Sequence, residues 1–397
     1  NQLNQTKNHS YNAFKKLGYP SKKLENWKFS SSSHLKNYNV IDQDQSEIDI
    51  KEYLSMENAL CFVNGKFVKE SLNNFTYKNQ ISIGKTIEVK DSKIIKMSDN
   101  FQDESLFNLG IAKFNEGVLI EFKEGGKFDT EIQIINVYDK KIEKMFIPVF
   151  NIFKLNKKNN ISIVEKNVNN GLDSFNLKIN KFICSDNSML NHTIIFDDHT
   201  KSNLLGYNYY ESGLNSIINV DNFNYESSFN KNFIEVDLNQ TGGETRINTL
   251  NLTKNNEHVD NNILINHNSE HCTSFQNVRN ILQNKSTCVF NGKVIVADGA
   301  QKTDSNQSNK NLLLSKEATA HSNPQLEIYA DDVQCGHGST TGALDKDSIF
   351  YLQTRGIRKE QATQILIKAF AHEVIKQFSN DTIKDEAQAY IDEWMNG

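Results

Sequence analysis

From about residue 116 to residue 330 the chain alternates short apolar runs with polar, Asn- and Gly-rich turns. The runs 118–122, 132–135, 147–150, 161–164 and 193–196 predict strands, as do 233–238, 247–252, 263–265, 294–296 and 326–328. No helical window interrupts them. So many strands need a sandwich, a barrel, a propeller or a β-helix. Asn-rich corners with few hairpin signals suit a parallel β-helix, but no clean repeat period is visible. The residues alone leave sandwich and β-helix open.

The two ends carry a different period. Leu3, Tyr11, Phe14 and Leu17 suit an amphipathic helix over 1–17, with Gly18 as its stop and Pro20 forbidding continuation. Trp27 reads as an anchor of this end to the body, the alternative being a ring that stacks on a cofactor. Residues 41–115 mix short strands, such as 59–63, with loops. After Arg355-Gly356-Ile357 the pattern turns helical: Ala362, Ile365, Leu366, Ala369, Phe370, Val374 and Phe378 recur at three and four. A second helix follows, with Ile383, Ala387, Tyr390, Ile391 and Trp394 on one stripe. These helices either cap the open end of a stacked-strand body or present a docking surface, and the two roles are compatible. The expected units are an N-terminal helical and mixed region (1–115), a β core (116–350) and a C-terminal helical region (351–397).

Candidate chemistry concentrates between Asn323 and Gly356. A strand with Leu326, Ile328 and Ala330 on one face leads to Cys335 and His337, separated by one glycine. If the backbone stays extended, both side chains project to the same side, close enough to share one soft metal or cluster. Gly336, Gly338 and Gly342 would let another backbone or subunit approach. Asp331 and Asp332 would orient His337 or cap a turn. A bare C-x-H is equally the spacing of a buried cysteine beside a surface histidine.

The run PQLEIYADDVQCGHGSTTGALD, followed by IFYLQTRGI, resembles the C-terminal core of the SufB/SufD family, scaffold proteins of the SUF iron–sulfur cluster assembly system. The D-V-x-C-x-H-G version is the SufD form. Segments 290–315 and 267–282 match the family in order, and GYPSKKLENWKFS (18–30) is similar to its opening signature. The resemblance implies a mainly β fold, a right-handed parallel β-helix core flanked by N-terminal and C-terminal helical regions. It also implies a non-enzymatic scaffold that pairs with a SufB-like paralogue through the end of the β-helix. A SufC-like ABC ATPase would dock on the C-terminal helices, its ATP-driven movement opening the SufB–SufD interface. Cys335 and His337 are then the metal-site residues, giving soft ligation to iron or a nascent Fe–S cluster. A reduced flavin is expected in such a complex, with no site assigned, and the isolated chain could form a homodimer.

Composition narrows the alternatives. The net charge of −5 and the lack of a Lys/Arg cluster argue against nucleic acid as a partner. No apolar run is long enough to cross a membrane, and no signal-peptide pattern opens the chain. Five scattered cysteines without C-x-x-C spacing suit a reducing compartment, so cytoplasm is the expected location. Phe and Tyr are plentiful (24 and 13), which favours a folded chain over a disordered one. Enrichment in Asn and Lys carries little weight, since AT-rich coding produces it as readily as selection.

Walker A, G-x-G-x-x-G, G-x-S-x-G and H-E-x-x-H patterns are absent. Asp197-Asp198-His199 reads as an acidic turn before it reads as a metal site. His267, Glu270, His271 and Cys272 form a second-tier cluster, with polar packing between coils as the conservative reading. Two rival functions remain: a β-helix polysaccharide lyase or hydrolase, and a structural binding module with no metal.

Overall fold

Each coil of the chain lays down one strand on each of two facing sheets, so alternate strands belong to alternate sheets. A computed structural model describes residues 2–40, 51–138, 144–169, 173–197, 202–225 and 228–396. It contains two ten-stranded sheets. From Met145–Leu155 to Thr319–Ile328 in one, and from Ile132–Tyr138 to Gln334–Gly342 in the other, every pairing is parallel. The architecture is a flattened parallel β-solenoid, which explains why sandwich and β-helix were hard to tell apart from the residues. Both present two inner faces packed on one another.

A repeat does exist, and it drifts. From Met145–Leu155 and Ile132–Tyr138 onward, successive strands of one sheet stand between 26 residues apart (Asn203 opposite Phe229) and 32 apart (Thr287 opposite Thr319). The corners absorb the difference. Lys158, Asn187, Asn215, Asn255, His271, Asn284 and Lys302 take left-handed backbone conformations there, which Asn tolerates better than most residues. The Asn-rich corners are thus a backbone requirement.

In-register stacking places like on like. Phe153, Phe182 and Tyr210 stack in the lumen between the sheets, with ring centroids 4.6 and 4.9 Å apart. Asn224 donates to Asn251, Asn251 to Asn280 and Asn280 to Asn311, the last two at 2.6 Å. These asparagines are buried, and each satisfies part of the next one's amide. The Asn enrichment therefore has a structural use. Deeper in the lumen Glu165 meets Lys178 (2.5 Å), and His192 bonds Tyr210 (2.8 Å). Burial would raise the Glu165 carboxyl, but the Lys178 ammonium and His192 outweigh it and hold it below the usual carboxylate range.

The outer faces are covered. Helix Gln2–Leu17 ends at Gly18, whose φ is +67°. The N-terminal region buries Leu3, Trp27, Phe101, Phe107 and Phe114 against Phe150, Phe175, Tyr207 and Phe233 of one sheet. Trp27 is a packing anchor: its indole N–H donates to Glu104, and the Lys231 ammonium lies 4.7 Å from its ring centroid. Lys231 also donates to the Asn26 carbonyl (2.6 Å) and pairs with buried Asp260.

Helices Lys359–Ile375 and Asp381–Asn396 bury Ile367, Ala371, Val374, Ile383, Ile391 and Trp394 against Phe223, Leu250, Ile281 and Leu312 of the other sheet. They flank the solenoid and do not cap its end, as the sequence suggested they could. The apolar outer face of that sheet needs them more than the strand edges do. Helical structure also begins earlier than expected, at Lys346–Thr354, where the Asp345 carboxylate caps the amides of Asp347 and Ser348.

Two outcomes follow. Asn280→Ala leaves the buried Asn251 side-chain N–H without its acceptor and the buried Asn311 side-chain oxygen without its donor, so urea unfolding should show a loss of ~1–3 kcal/mol. Glu235 accepts from Ser98 (2.6 Å), Asn100 (2.7 Å) and Asn266 (3.0 Å), yet burial, assisted by Asp237, pushes its carboxyl up to about 7. Its contribution to stability is full below the ordinary value near 4.5 and is lost as pH rises through about 7. Glu235→Gln should therefore match the parent at pH 5 and exceed it at pH 8 by ~1–3 kcal/mol in thermal unfolding.

Candidate functional site

The last strand, Gln334–Gly342, pairs only with Asp304–Leu313, and its other edge is unpaired among the described residues. The neighbouring sheet ends in the same way at Thr319–Ile328. Both final strands lie at one end of the solenoid, and among the described residues no strand pairs with their free edges.

Cys335 and His337 sit on this last strand, in register with Ser305 and Gln307 of the strand below. The backbone is extended there, so both project to the same face. Their Cα atoms are about 6–7 Å apart by strand geometry. Cys335 is half-buried at the edge of the luminal core, alongside Leu326 and Val333, whereas His337 is exposed. A Cβ built on Gly338 or Gly342 would meet nothing within 4 Å.

Burial raises the Cys335 thiol, the Asp304 charge adds to the effect, and a hydrogen bond from the Ser305 backbone opposes it. The sulfur is therefore a thiol at neutral pH and needs a bound soft cation or a base to become a ligand. Neither aspartate supports His337. Asp332 pairs with Lys302 and donates its backbone N–H to the Gln301 side-chain carbonyl, and Asp331 is exposed on the turn.

The second-tier cluster does not converge. His267 is fully buried and bonds Ser274 at 2.8 Å, with burial lowering its imidazole to about 4. Cys272 is buried with its Sγ 3.3 Å from the Gln240 carbonyl, while Glu270 and His271 point into an exposed corner. Polar packing between coils describes it. Asp198 and His199 lie outside the described residues. Among the described residues no three His, Cys, Asp or Glu side chains gather as a metal site.

The sequence reading missed what lies beneath the pair. Ser305 and Gln307 stand 30 residues before Cys335 and His337, within the range of intervals that relates neighbouring coils elsewhere. That spacing was the available signal.

This fold and this site define a β-solenoid protein carrying a two-donor sulfur and nitrogen pair on an uncovered strand end. Residues 143–370 match the family described as SUF system FeS cluster assembly, SufBD core domain. The chain belongs to that family. It is 41% identical over 160 residues to the iron–sulfur cluster assembly protein SufD of Escherichia coli, covering 40% of this chain and 38% of that protein. A SufBD family protein of Synechocystis is 23% identical over 381 residues, covering 91% of this chain and 84% of its own length. SufD of Bacillus subtilis is 31% identical over 112 residues, covering 28% of this chain and 26% of that protein. The match to the Escherichia coli protein thus spans well under half of either chain.

Cys61, Cys184, Cys272 and Cys288 are buried, and only Cys335 is partly accessible. Brief alkylation of the folded chain, read by mass spectrometry, should modify Cys335 alone. The rate should climb through and above pH 8, because the thiol is raised from its ordinary value.

Proposed function

We propose that the chain is a scaffold subunit of a cytoplasmic SUF-type assembly complex. Its open end pairs with a SufB-like paralogue, and its C-terminal helical region docks a SufC-like ABC ATPase. Cys335 and His337 offer soft ligation to iron or a nascent cluster, which is cargo. The observation that carries this reading is a sulfur and nitrogen pair placed on a terminal strand with a free edge, with no third donor among the described residues. Two donors are half of the four protein ligands that usually hold a cluster. A partner meeting the same edge would supply the rest, and incomplete ligation suits a cluster that must leave. Thiolate favours iron–sulfur chemistry, and imidazole is a more releasable ligand.

Further features support the reading. Among the described residues the cysteines are free, as a reducing compartment allows. Tyr329 (62% exposed) lies just past one of the two end strands. Helix Lys346–Thr354 buries no residue and exposes Phe350 and Tyr351 at 67% and 57%. Exposed aromatics of this kind are typical anchors of interfaces. Chains that add to an open sheet edge gain main-chain hydrogen bonds there, so the isolated chain would pair with a second copy through the same end.

Cys335→Ala and His337→Ala should leave the fold intact and reduce cluster assembly on the reconstituted complex by ~10-fold or more under anaerobic conditions. Wild-type rates for both variants would sink the ligand role. Phe350→Ala combined with Tyr351→Ala should weaken ATPase binding by about 10-fold or more in titration calorimetry; unchanged affinity would move the dock elsewhere.

A further inference from the structure

The inward face of the sheet bearing Cys335 grows more polar toward the open end. Strand Ile217–Tyr225 faces the lumen with Ile218, Val220, Asn222 and Asn224. Strand Asp304–Leu313 does so with Ser305, Gln307, Asn309 and Asn311, all buried. Part of this polarity is satisfied within the chain. Ser305 bonds Ser274 at 2.9 Å, and Asn311 donates to Asn309 at 2.8 Å.

The rest is not. Among the described residues, both side-chain amide atoms of Gln276 and Gln307 lack a hydrogen-bond partner. So do both of Asn232 and Asn261 on the opposite sheet. Each of the four is at most 2% exposed. Gln276 stands in register with Gln307, and Gln307 with His337, while Asn232 stands in register with Asn261.

Amides that are buried and unpaired are costly, and four together would weigh heavily against a fold of ordinary net stability. Each of these side chains offers donors and an acceptor. An anion would find no cation among them, and an apolar guest would leave every amide as it is. Water satisfies both polarities at once. We propose that the lumen beneath His337 holds a short file of bound water molecules anchored by Gln276 and Gln307, and that a second, separate water site lies at Asn232 and Asn261. The file gives the Cys335–His337 pair an inner aqueous side, separate from bulk solvent. It stands whether or not that pair ligates iron.

An atomic-resolution crystal structure of the unmodified chain should show ordered water bridging the Gln276 and Gln307 amides. Direct amide-to-amide bonds with no density between them would overturn the proposal. Gln276→Leu and Gln307→Leu give a second reading. If the amides anchor water, each variant lowers Tm by about 2 °C. An unchanged or raised Tm would mean that the amides were dry and unpaired, and would also overturn it.

Discussion

Every coil of this protein must be able to stand on the coil before it. Parallel strands in exact succession carry each side chain about 4.8 Å above its equivalent, so a residue's closest luminal neighbour is the one a coil earlier. Apolar and aromatic columns meet this condition by stacking, as Phe153, Phe182 and Tyr210 do. A buried amide can meet it when the next coil brings a matching amide. The Asn224–Asn251–Asn280–Asn311 series is the outcome. The same condition ties the end strand to everything below it, because Cys335 and His337 take their positions from Ser305 and Gln307.

The helical regions answer a different demand. Both sheets have apolar outer faces, and a two-sheet solenoid has no third layer of its own to cover them. The N-terminal region buries one face around Trp27, Phe107 and Tyr207, and the C-terminal helices bury the other around Phe223, Ile391 and Trp394. At the early end, Ala59–Val63 and Ile81–Lys85 extend the two sheets. At the late end no described strand follows Gln334–Gly342. The donor pair therefore owes its accessibility to how the flanking helices are spent.

Legibility in the sequence followed the chemistry of the lumen. Strands with apolar inward positions, such as those around Val118, Ile161 and Ile247, were plain from alternation. The terminal helices were plain from their three-and-four spacing. Asp304–Leu313 was invisible as a strand, because its inward residues are Ser305, Gln307, Asn309 and Asn311 and it resembles a polar loop. Phe175–Cys184 and Asn203–Ser212 were missed for a related reason: they are buried on both faces, and Asn176, Asn180 and Asn208 interrupt the apolar pattern. Dismissing Asn as compositional bias removed the ladder signal. The same-face placement of Cys335 and His337 followed from two-residue periodicity alone. The resemblance to the SufB/SufD family singled them out, and the drift of the coil length hid what stood beneath them.

Along the free edge of Gln334–Gly342, neighbouring residues point to opposite faces. Any strand that joins this edge can slide only in steps of two if its own donors are to stay on the thiol's side. A slip of a single residue would turn them outward, whatever their chemistry. Half of all possible alignments are thus ruled out by pleat geometry before any side chain is compared.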